Sequence, residues 1–351
     1  MSFPSGVFNT SYVQDMMILR TRSQRVVLCI FMLGLLCVPW VAGQFWVNML
    51  CTIATTSVAL MGLNILTGYC GQISVGNTGF MAIGAYTSAI LAGQLGLPFW
   101  LCLPCAGLTA GVMGILFGLP SLKVKGLYLS LTTIAAQFII IYLIKTPFEK
   151  VTGGAISLDV PPVSLAGYVF ESEKQIYCLL MIVTFLMAFI FRNIIRSNVG
   201  RAFLAIHNNE IAAEAMGINL YRHKLLAFFI GCFYCGIAGS LLSVYSKVIS
   251  PDDFTFSGSV WQLGMLIVGG MGTTLAPFLG AIFFTVLDEV VLVASPLISI
   301  VIPQLGAQVT ASMMEMLFGL TILVFLVYQP RGLAHMWDIM KSFWSRWPFS
   351  Y

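Results

Sequence analysis

The chain has 351 residues, of which 59% are hydrophobic and only 9% are charged, and its mean hydropathy is +0.94. Soluble domains carry about 25% charged residues, whereas residues 26–122 contain no Asp, Glu, Lys, Arg or His. This composition excludes an ordinary soluble domain and predicts an all-α polytopic membrane protein. The net charge of +4 indicates no nucleic-acid partner, because the charges follow the membrane topology described below.

The N-terminal segment, residues 1–25, carries Arg20, Arg22 and Arg25 just before the first apolar run at 26–43. A cleaved signal peptide has an apolar stretch of about 7–15 residues. Because this run is longer, and no small-residue cleavage site is evident, we expect a retained first span that follows a cytosolic segment.

Apolar runs that could cross a bilayer recur along the rest of the chain. A helix needs about 20 apolar residues to cross about 30 Å of hydrocarbon. The sequence predicts about ten transmembrane or partly broken helices, at 26–43, 45–66, 73–92, 98–119, 126–145, 176–192, 225–246, 260–275, 277–294 and 312–328. The glycines at 269, 270 and 272 leave an alternative open, in which 260–294 is one broken or re-entrant element.

The distribution of basic residues predicts the orientation. With the N-terminus inside, ten crossings place thirteen of the seventeen Lys and Arg residues in cytosolic segments, as the positive-inside rule requires. The expected organisation is a transmembrane domain at 26–328, with a cytosolic loop at 193–224, and a cytosolic C-terminal tail at 329–351. The outer connection at 146–175 is either a functional loop or a simple tether.

Two pairs of cysteines, Cys102/Cys105 and Cys232/Cys235, have C-x-x-C spacing. No His or carboxylate lies near either pair in the sequence. We therefore interpret them as small residues buried in helices rather than as a metal or redox site.

The most informative segment is a charged island at residues 192–224, which separates two long apolar runs. It holds five Lys/Arg, two carboxylates and two of the three His. Asn208 or Asn209 is suited to the N-cap of a short helix, with Glu210 in its first turn, and Gly217 is suited to the C′ position. Such a cytosolic helix is either an ordinary loop helix or a docking element for a soluble partner.

Several short motifs occur together between residues 45 and 335. They are Leu63 to Tyr69 (LNILTGY), Gly71 to Gly76 (GQISVG), Thr152-Gly153-Gly154, Asn209 to Glu214 (NEIAAE), Gly269 to Gly272 (GGMG) and Pro330 to Leu333 (PRGL). In combination they resemble the permeases of branched-chain amino acid ABC transporters, specifically the LivM-like subunit. This chain departs from that pattern in having Cys70, Asn77 where many relatives carry His, and the less typical Asp288.

The resemblance implies ABC importer permease architecture and a subunit that moves branched-chain or related small amino acids across the bacterial cytoplasmic (inner) membrane. No G-x-x-x-x-G-K-[ST] motif occurs, so we expect no cofactor in this chain and ATP binding by partner subunits. The implied partners are two ABC ATPase subunits, a homologous second permease subunit, an external (periplasmic) substrate-binding protein and membrane lipid. The residues expected to couple to the ATPase are Arg201, Asn209, Glu210, Ile211, Ala212, Ala213, Glu214, Met216 and Gly217.

Uncharged polar residues inside the predicted spans are candidates for the translocation pathway of a zwitterionic solute. Interhelical hydrogen bonding is the competing interpretation of each. The candidates are Asn64, Gln72, Ser74, Asn77, Tyr86, Thr132 and Thr133, and Gln137 and Gln262 are further polar residues of this kind.

Other functions have less support in the sequence. An ion-coupled secondary transporter would need titratable residues in the spans, and only Asp288, Glu289 and Glu315 qualify. A scaffold subunit without a pathway, and a permease for urea or short amides, also remain open. No catalytic or metal-binding spacing occurs, so we do not expect an enzyme.

Overall fold

The computed structural model describes residues 22–121, 127–154, 156–165, 168–170, 172–301 and 306–346. Its first half contains α1 (Arg22–Val41), α2 (Gln44–Leu63), a π-helix (Asn64–Tyr69), α3 (Asn77–Gln94), α4 (Phe99–Ser121), α5 (Leu127–Lys145) and α6 (Glu149–Thr152). Its second half contains α7 (Glu173–Arg196), α8 (Asn198–Asn208), α9 (Glu210–Ala215), α10 (Leu220–Ser246), α11 (Phe256–Gly269), α12 (Ala276–Val301), α13 (Gly306–Tyr328) and α14 (Gly332–Arg346).

The chain divides into two compact units, residues 1–48 and 49–351. In the described part of the first unit, α1 is apolar and has Pro39 in its interior. Phe45 and Trp46 stack edge to face at the start of α2. The second unit contains the charged island and every candidate pathway residue.

Six helices within the described residues are long and apolar enough to cross a membrane. They are Gln44–Tyr69, Phe99–Pro120, Tyr128–Lys145, Glu173–Arg196, Leu220–Ser246 and Ala276–Val293. A seventh candidate is the pair Met314–Tyr328 and Gly332–Phe343, which is bent by 48°. The predicted polytopic helical fold is confirmed, and the predicted count of ten was approximate.

Three predicted spans differ from the observed helices. The run at 26–43 corresponds to α1, which ends two residues earlier, at Val41. The run at 73–92 becomes helical only at Asn77, and the run at 260–275 stays helical only to Gly269. Hydropathy averaged over a window does not detect these breaks, because residues 70–76 and 270–275 carry no charge and lie between apolar helices.

The centre of the second unit is α10, which packs on α3 and α4. Helices α3 and α10 are parallel, because Asn77 bonds Cys235 near the start of α3 and Ser88 bonds Ser243 further along both helices. A Cβ on Gly84 would collide with the carbonyl oxygen of Gly236, and one on Gly239 with the carbonyl oxygen of Met81. The two backbones therefore touch directly, as small residues permit in membrane helices.

Two stretches of non-helical backbone enter the helical unit. Residues 70–76 are non-helical between the π-helix and α3. The connection at 247–255 leads from α10 to α11 through a short strand (β4, Val248–Ile249) and a 3₁₀ turn (Pro251–Asp253). Helix α11 then packs beside α12 as an antiparallel hairpin, because Gly269 approaches Ala276 while Gly280 approaches Met265.

The outer connection adds a small amount of strand to the predicted all-helical fold. Strand β1 (Leu158–Asp159) pairs with β4, and β2 (Val163–Leu165) pairs with β3 (Tyr168–Phe170), both antiparallel. Lys145 of α5 forms a 2.8 Å ion pair with Asp252 at the same end. These links fix the loop at the end of the unit opposite to the charged island.

Candidate functional site

The charged island folds into two short helices between α7 and α10. Asn209 caps α9, since its side-chain oxygen accepts a 3.1 Å hydrogen bond from the backbone N–H of Ala212. Gly217 follows the helix with φ +86°, and the N–H of Ile218 donates to the carbonyl of Ala213. This is a Schellman ending, so both predicted boundaries of the helix are confirmed.

One ion pair fixes the orientation of α9. Glu210, in its first turn, accepts a 2.6 Å bond from the Lys224 ammonium on α10, and the two side chains are only 31% and 12% exposed. Ala213 is buried beneath the helix, whereas Ile211 and Met216 are 80% and 84% exposed. The result is a firmly held helix that presents an apolar surface.

The remaining coupling candidates are also exposed. Arg201 is exposed on α8, where it donates to the Asn198 side chain and to the carbonyl of Arg196. Ala212 and Glu214 are exposed on α9. Beside them lies a groove of about 460 Å³, lined by Glu210, Glu214, Gly217, Ile218, Asn219, Leu220, Tyr221 and Lys224.

Within the island, helix α8 contacts the first non-helical stretch, residues 70–76. Gly71 has φ +74°, and a Cβ there would lie 2.7 Å from Nδ1 of His207, in the last turn of α8. The preceding π-helix is a rare element that is frequent at functional sites. A movement of the island therefore reaches the backbone at Gly71 directly.

We expect Gly71→Ala to lower transport about tenfold, because a left-handed residue that is not glycine is strained by about 1–2 kcal/mol and its Cβ would press on His207. Solute uptake by reconstituted protein measures the loss. The double variant Gly71→Ala/His207→Ala removes the collision and keeps the strain, so partial recovery is expected. Full activity of the single variant would contradict a tight contact.

Deeper in the unit, the first turns of α3 and α11 pack against each other. The backbone N–H of Thr78 donates to Ser259 Oγ at 3.0 Å, and Thr78 Oγ1 donates to the carbonyl of Thr255 at 2.8 Å. Asn77 bonds Cys235, which lies past the middle of α10. Both helices thus begin inside the unit rather than at its ends, as discontinuous helices do in many transporters.

Gln137 of α5 joins these two helix starts. Its amide nitrogen donates 2.8 Å bonds to Thr78 Oγ1 and to the carbonyl of Phe254. Its amide oxygen accepts from the backbone N–H of Gly79 at 2.7 Å and from Ser259 Oγ at 3.1 Å. The side chain is 1% exposed, so all four hydrogen-bonding positions of the amide are used in a dry site.

Four of the predicted pathway residues form hydrogen bonds within the fold. Asn64 is fully buried and holds the turn after α11 by two hydrogen bonds. Its side-chain amide donates to the carbonyl of Thr273 and accepts from the backbone N–H of Gly272. Asn77 donates to Gln262 and accepts from Cys235. Thr133 accepts from the N–H of Val75, and Thr132 bonds the carbonyl of Leu129 in its own helix. For these four the geometry favours interhelical or intrahelical hydrogen bonding.

Three other candidates keep capacity for a polar solute. Gln72 and Ser74 lie in the non-helical stretch and are 4% and 2% exposed, and Tyr86 on α3 is 3% exposed. Within the described part of the chain, Gln72 Oε1 and the Tyr86 hydroxyl have no hydrogen-bond partner. Buried polar groups are seldom left unsatisfied, so these two atoms mark the places where a solute could bond.

Ser259 is a polar residue that the choice of candidates missed, whereas Gln137 and Gln262 are recognisable in the sequence only as polar residues within the spans. Each is one polar residue in an apolar run, which gives no indication of its partners.

Asp288 and Glu289 are half-buried on α12, and Glu315 on α13 is exposed. No cluster of three metal-binding side chains occurs among the residues that the structure describes.

The apolar helices, the discontinuous α3 and α11 and the exposed charged island define a multi-pass membrane permease. The chain belongs to the family "Branched-chain amino acid transport system / permease component", which matches residues 45–326. The resemblance to LivM-like permeases is thereby confirmed. The protein is a multi-pass component of the inner membrane, and its family is a transport family.

The curated relatives agree with this assignment. The chain is 32% identical over 300 residues to the high-affinity branched-chain amino acid transport system permease protein LivM of Escherichia coli, covering 79% of this chain and 67% of the relative. Its Salmonella typhimurium counterpart is 31% identical over the same shares. A guanosine ABC transporter permease protein, NupQ of Bacillus subtilis, is 24% identical over 61% of this chain and 71% of the relative. No solved structure matches the chain.

Proposed function

We propose that this chain is a permease subunit of an ATP-driven importer for branched-chain or related small amino acids. Separate ATPase subunits supply the energy and dock on the charged island from the cytosol. An external binding protein delivers the solute, and a second, homologous permease subunit completes the pore. The island would then be cytosolic, as would both termini.

The observation that carries the proposal is the construction of α9. A six-residue helix is far below the length at which an isolated helix is stable, yet this one is capped at both ends and tied to α10 by Glu210 and Lys224. It leaves Ile211 and Met216 exposed. A rigid apolar surface between two membrane helices is suited to transmit force from a soluble partner.

Reconstitution tests the energy source and the solute. The chain is placed in proteoliposomes with its ATPase subunits, its second permease subunit and its binding protein, and uptake of labelled leucine, a short amide and guanosine is measured. Leucine uptake that needs ATP and the ATPase subunits would support the proposal. Uptake by the chain alone, driven by a proton gradient, would replace it with secondary transport.

The pathway is proposed to pass Gln72, Ser74 and Tyr86. The support is the position of the first two beside the start of α3 and the unsatisfied oxygens of Gln72 and Tyr86. Asn64, Asn77, Thr132 and Thr133 are proposed to border the pathway through their backbone connections rather than to bond the solute.

Tyr86→Phe gives a sharp test, because it removes only the hydroxyl. Deleting a buried, unsatisfied polar group costs no stability and can add about 1 kcal/mol, so the melting temperature should hold or rise. If the hydroxyl serves the solute, uptake should still fall about fivefold to tenfold, through a higher KM. Tyr234→Phe is the matched control, since that hydroxyl bonds the carbonyl of Met187 at 3.0 Å. Unchanged uptake in Tyr86→Phe would remove Tyr86 from the pathway.

A further inference from the structure

Helix α14, the last described helix, has an apolar stripe that nothing in the described chain covers. Met336, Ile339, Met340 and Phe343 are 46%, 52%, 51% and 66% exposed. Their spacing of three, one and three residues places them along one face of the helix. The opposite face carries Asp338, Lys341 and Ser342, all exposed.

Among the residues of α14 whose side chains the structure describes, 332–343, the packed ones lie in the first turn. Ala334 is 2% exposed, and Gly332 has φ +70° and touches the backbone of Gly270 so closely that a Cβ would lie 2.5 Å from the Gly270 Cα. This contact fixes where the helix starts and leaves the stripe free. The helix is therefore held in a definite place with its apolar side unused.

The position of α14 indicates what covers the stripe. It follows α13 after the polar turn Gln329–Arg331 and a bend of 48°. At the end of α13, Leu323, Val327 and Tyr328 are 59%, 66% and 79% exposed, as expected of a lipid-facing surface of a membrane span. The stripe on α14 thus begins where a lipid-facing surface ends.

The residues near the turn are typical of a membrane–water boundary. Tyr328 and Trp337, which is 50% exposed, lie on either side of the turn, and both aromatic types are enriched at that boundary. Arg331 and Lys341 add exposed cations. Arg331 lies in the turn and Lys341 on the face opposite the stripe, and exposed cations close to a membrane surface are attracted to anionic headgroups.

We propose that α14 is an interfacial helix that binds anionic phospholipid at the island end of the protein. Its stripe lies at the boundary of the acyl chains, and Arg331 and Lys341 contact the headgroups. A helix of this kind lies in the plane of the interface and binds by its buried apolar area together with charge attraction. The inference does not depend on which solute is carried.

Photocrosslinking of the full chain, with the subunits that co-purify with it, tests the proposal. A benzophenone amino acid replaces Met340 on the stripe or, as the matched control, Asp338 on the opposite face. The protein is placed in nanodiscs of phosphatidylcholine, alone or with one third phosphatidylglycerol, and mass spectrometry identifies the adducts. We expect lipid adducts at position 340 at least about fivefold above those at 338, with phosphatidylglycerol enriched among them.

Adducts of position 340 with an ATPase subunit would overturn the proposal in favour of a protein partner. Equal lipid labelling at 338 and 340 would also overturn it, because the helix would then have no oriented face. Lys341→Glu should reduce the enrichment of phosphatidylglycerol while the adducts at 340 persist. Adducts without any preference for phosphatidylglycerol in the unsubstituted chain would refute the headgroup contact.

Discussion

Glu210→Lys is expected to weaken strongly the coupling of ATP hydrolysis to uptake while the membrane helices still insert. The substitution replaces an ion pair of 2.6 Å between two largely shielded side chains with two facing cations. Breaking a buried pair costs about 3–5 kcal/mol, and partial exposure here reduces that to about 1–3 kcal/mol. Each 1.4 kcal/mol is tenfold, so uptake should fall by about fivefold to a little more than a hundredfold.

The double variant Glu210→Lys/Lys224→Glu separates two explanations of that loss. If the pair only positions α9, the reversed pair restores it and most of the uptake returns. If Glu210 itself contacts the ATPase, the double variant stays inactive, which would contradict the positioning role. Glu173→Lys is the control, because it makes the same change in charge at an exposed site at the opposite end. Uptake and ATP hydrolysis are measured on the same proteoliposomes.

Gln137→Leu is expected to lower both stability and transport. Leucine has nearly the right size and is apolar, but it leaves the N–H of Gly79, the carbonyl of Phe254 and the hydroxyls of Thr78 and Ser259 without the amide. A buried polar group that loses its partner costs about 1–3 kcal/mol, although interhelical bonds in membranes average about 0.6 kcal/mol. We expect a lower melting temperature and at least about a tenfold loss of uptake.

Gln137→Glu should have an intermediate effect, because the neutral carboxylic acid, which burial favours, keeps the acceptor oxygen and one of the two donors of the amide. The matched control is Gln94→Leu. Gln94 is exposed and makes a single 3.3 Å bond, to the carbonyl of Val151, so its replacement should change little. Full uptake and an unchanged melting temperature in Gln137→Leu would show that α3 and α11 do not depend on this amide.

The sequence predicts those parts of the fold that local chemistry determines. Long apolar runs give the six long helices, and the cap residue Asn209 and Gly217 give the bounds of α9 almost to the residue. The island could be found because its charges contrast with their surroundings. The resemblance then gave the family from combined short motifs, although each motif alone is weak.

What the sequence did not reveal depends on contacts between distant residues. The start of α3 at Asn77 is fixed by hydrogen bonds from this segment to Thr133, Gln137 and Ser259. These three residues are at least 56 positions away from Asn77 in the sequence. In the same way, Asn64 resembles a pathway residue until its bonds to Gly272 and Thr273 are seen. The sequence predicts a cytosolic tail at 329–351, and the charges of this segment conceal the amphipathic pattern of α14.

The direct contact between the backbones of α3 and α10 limits how the protein can move. At Gly84 and Gly239 no layer of side chains separates the two helices, so nothing between them can repack in small steps. We therefore expect α3 and α10 to move together as one rigid body during a transport cycle. The bending falls to the connections at 70–76, 247–255 and 270–275, where the structure lacks regular helix.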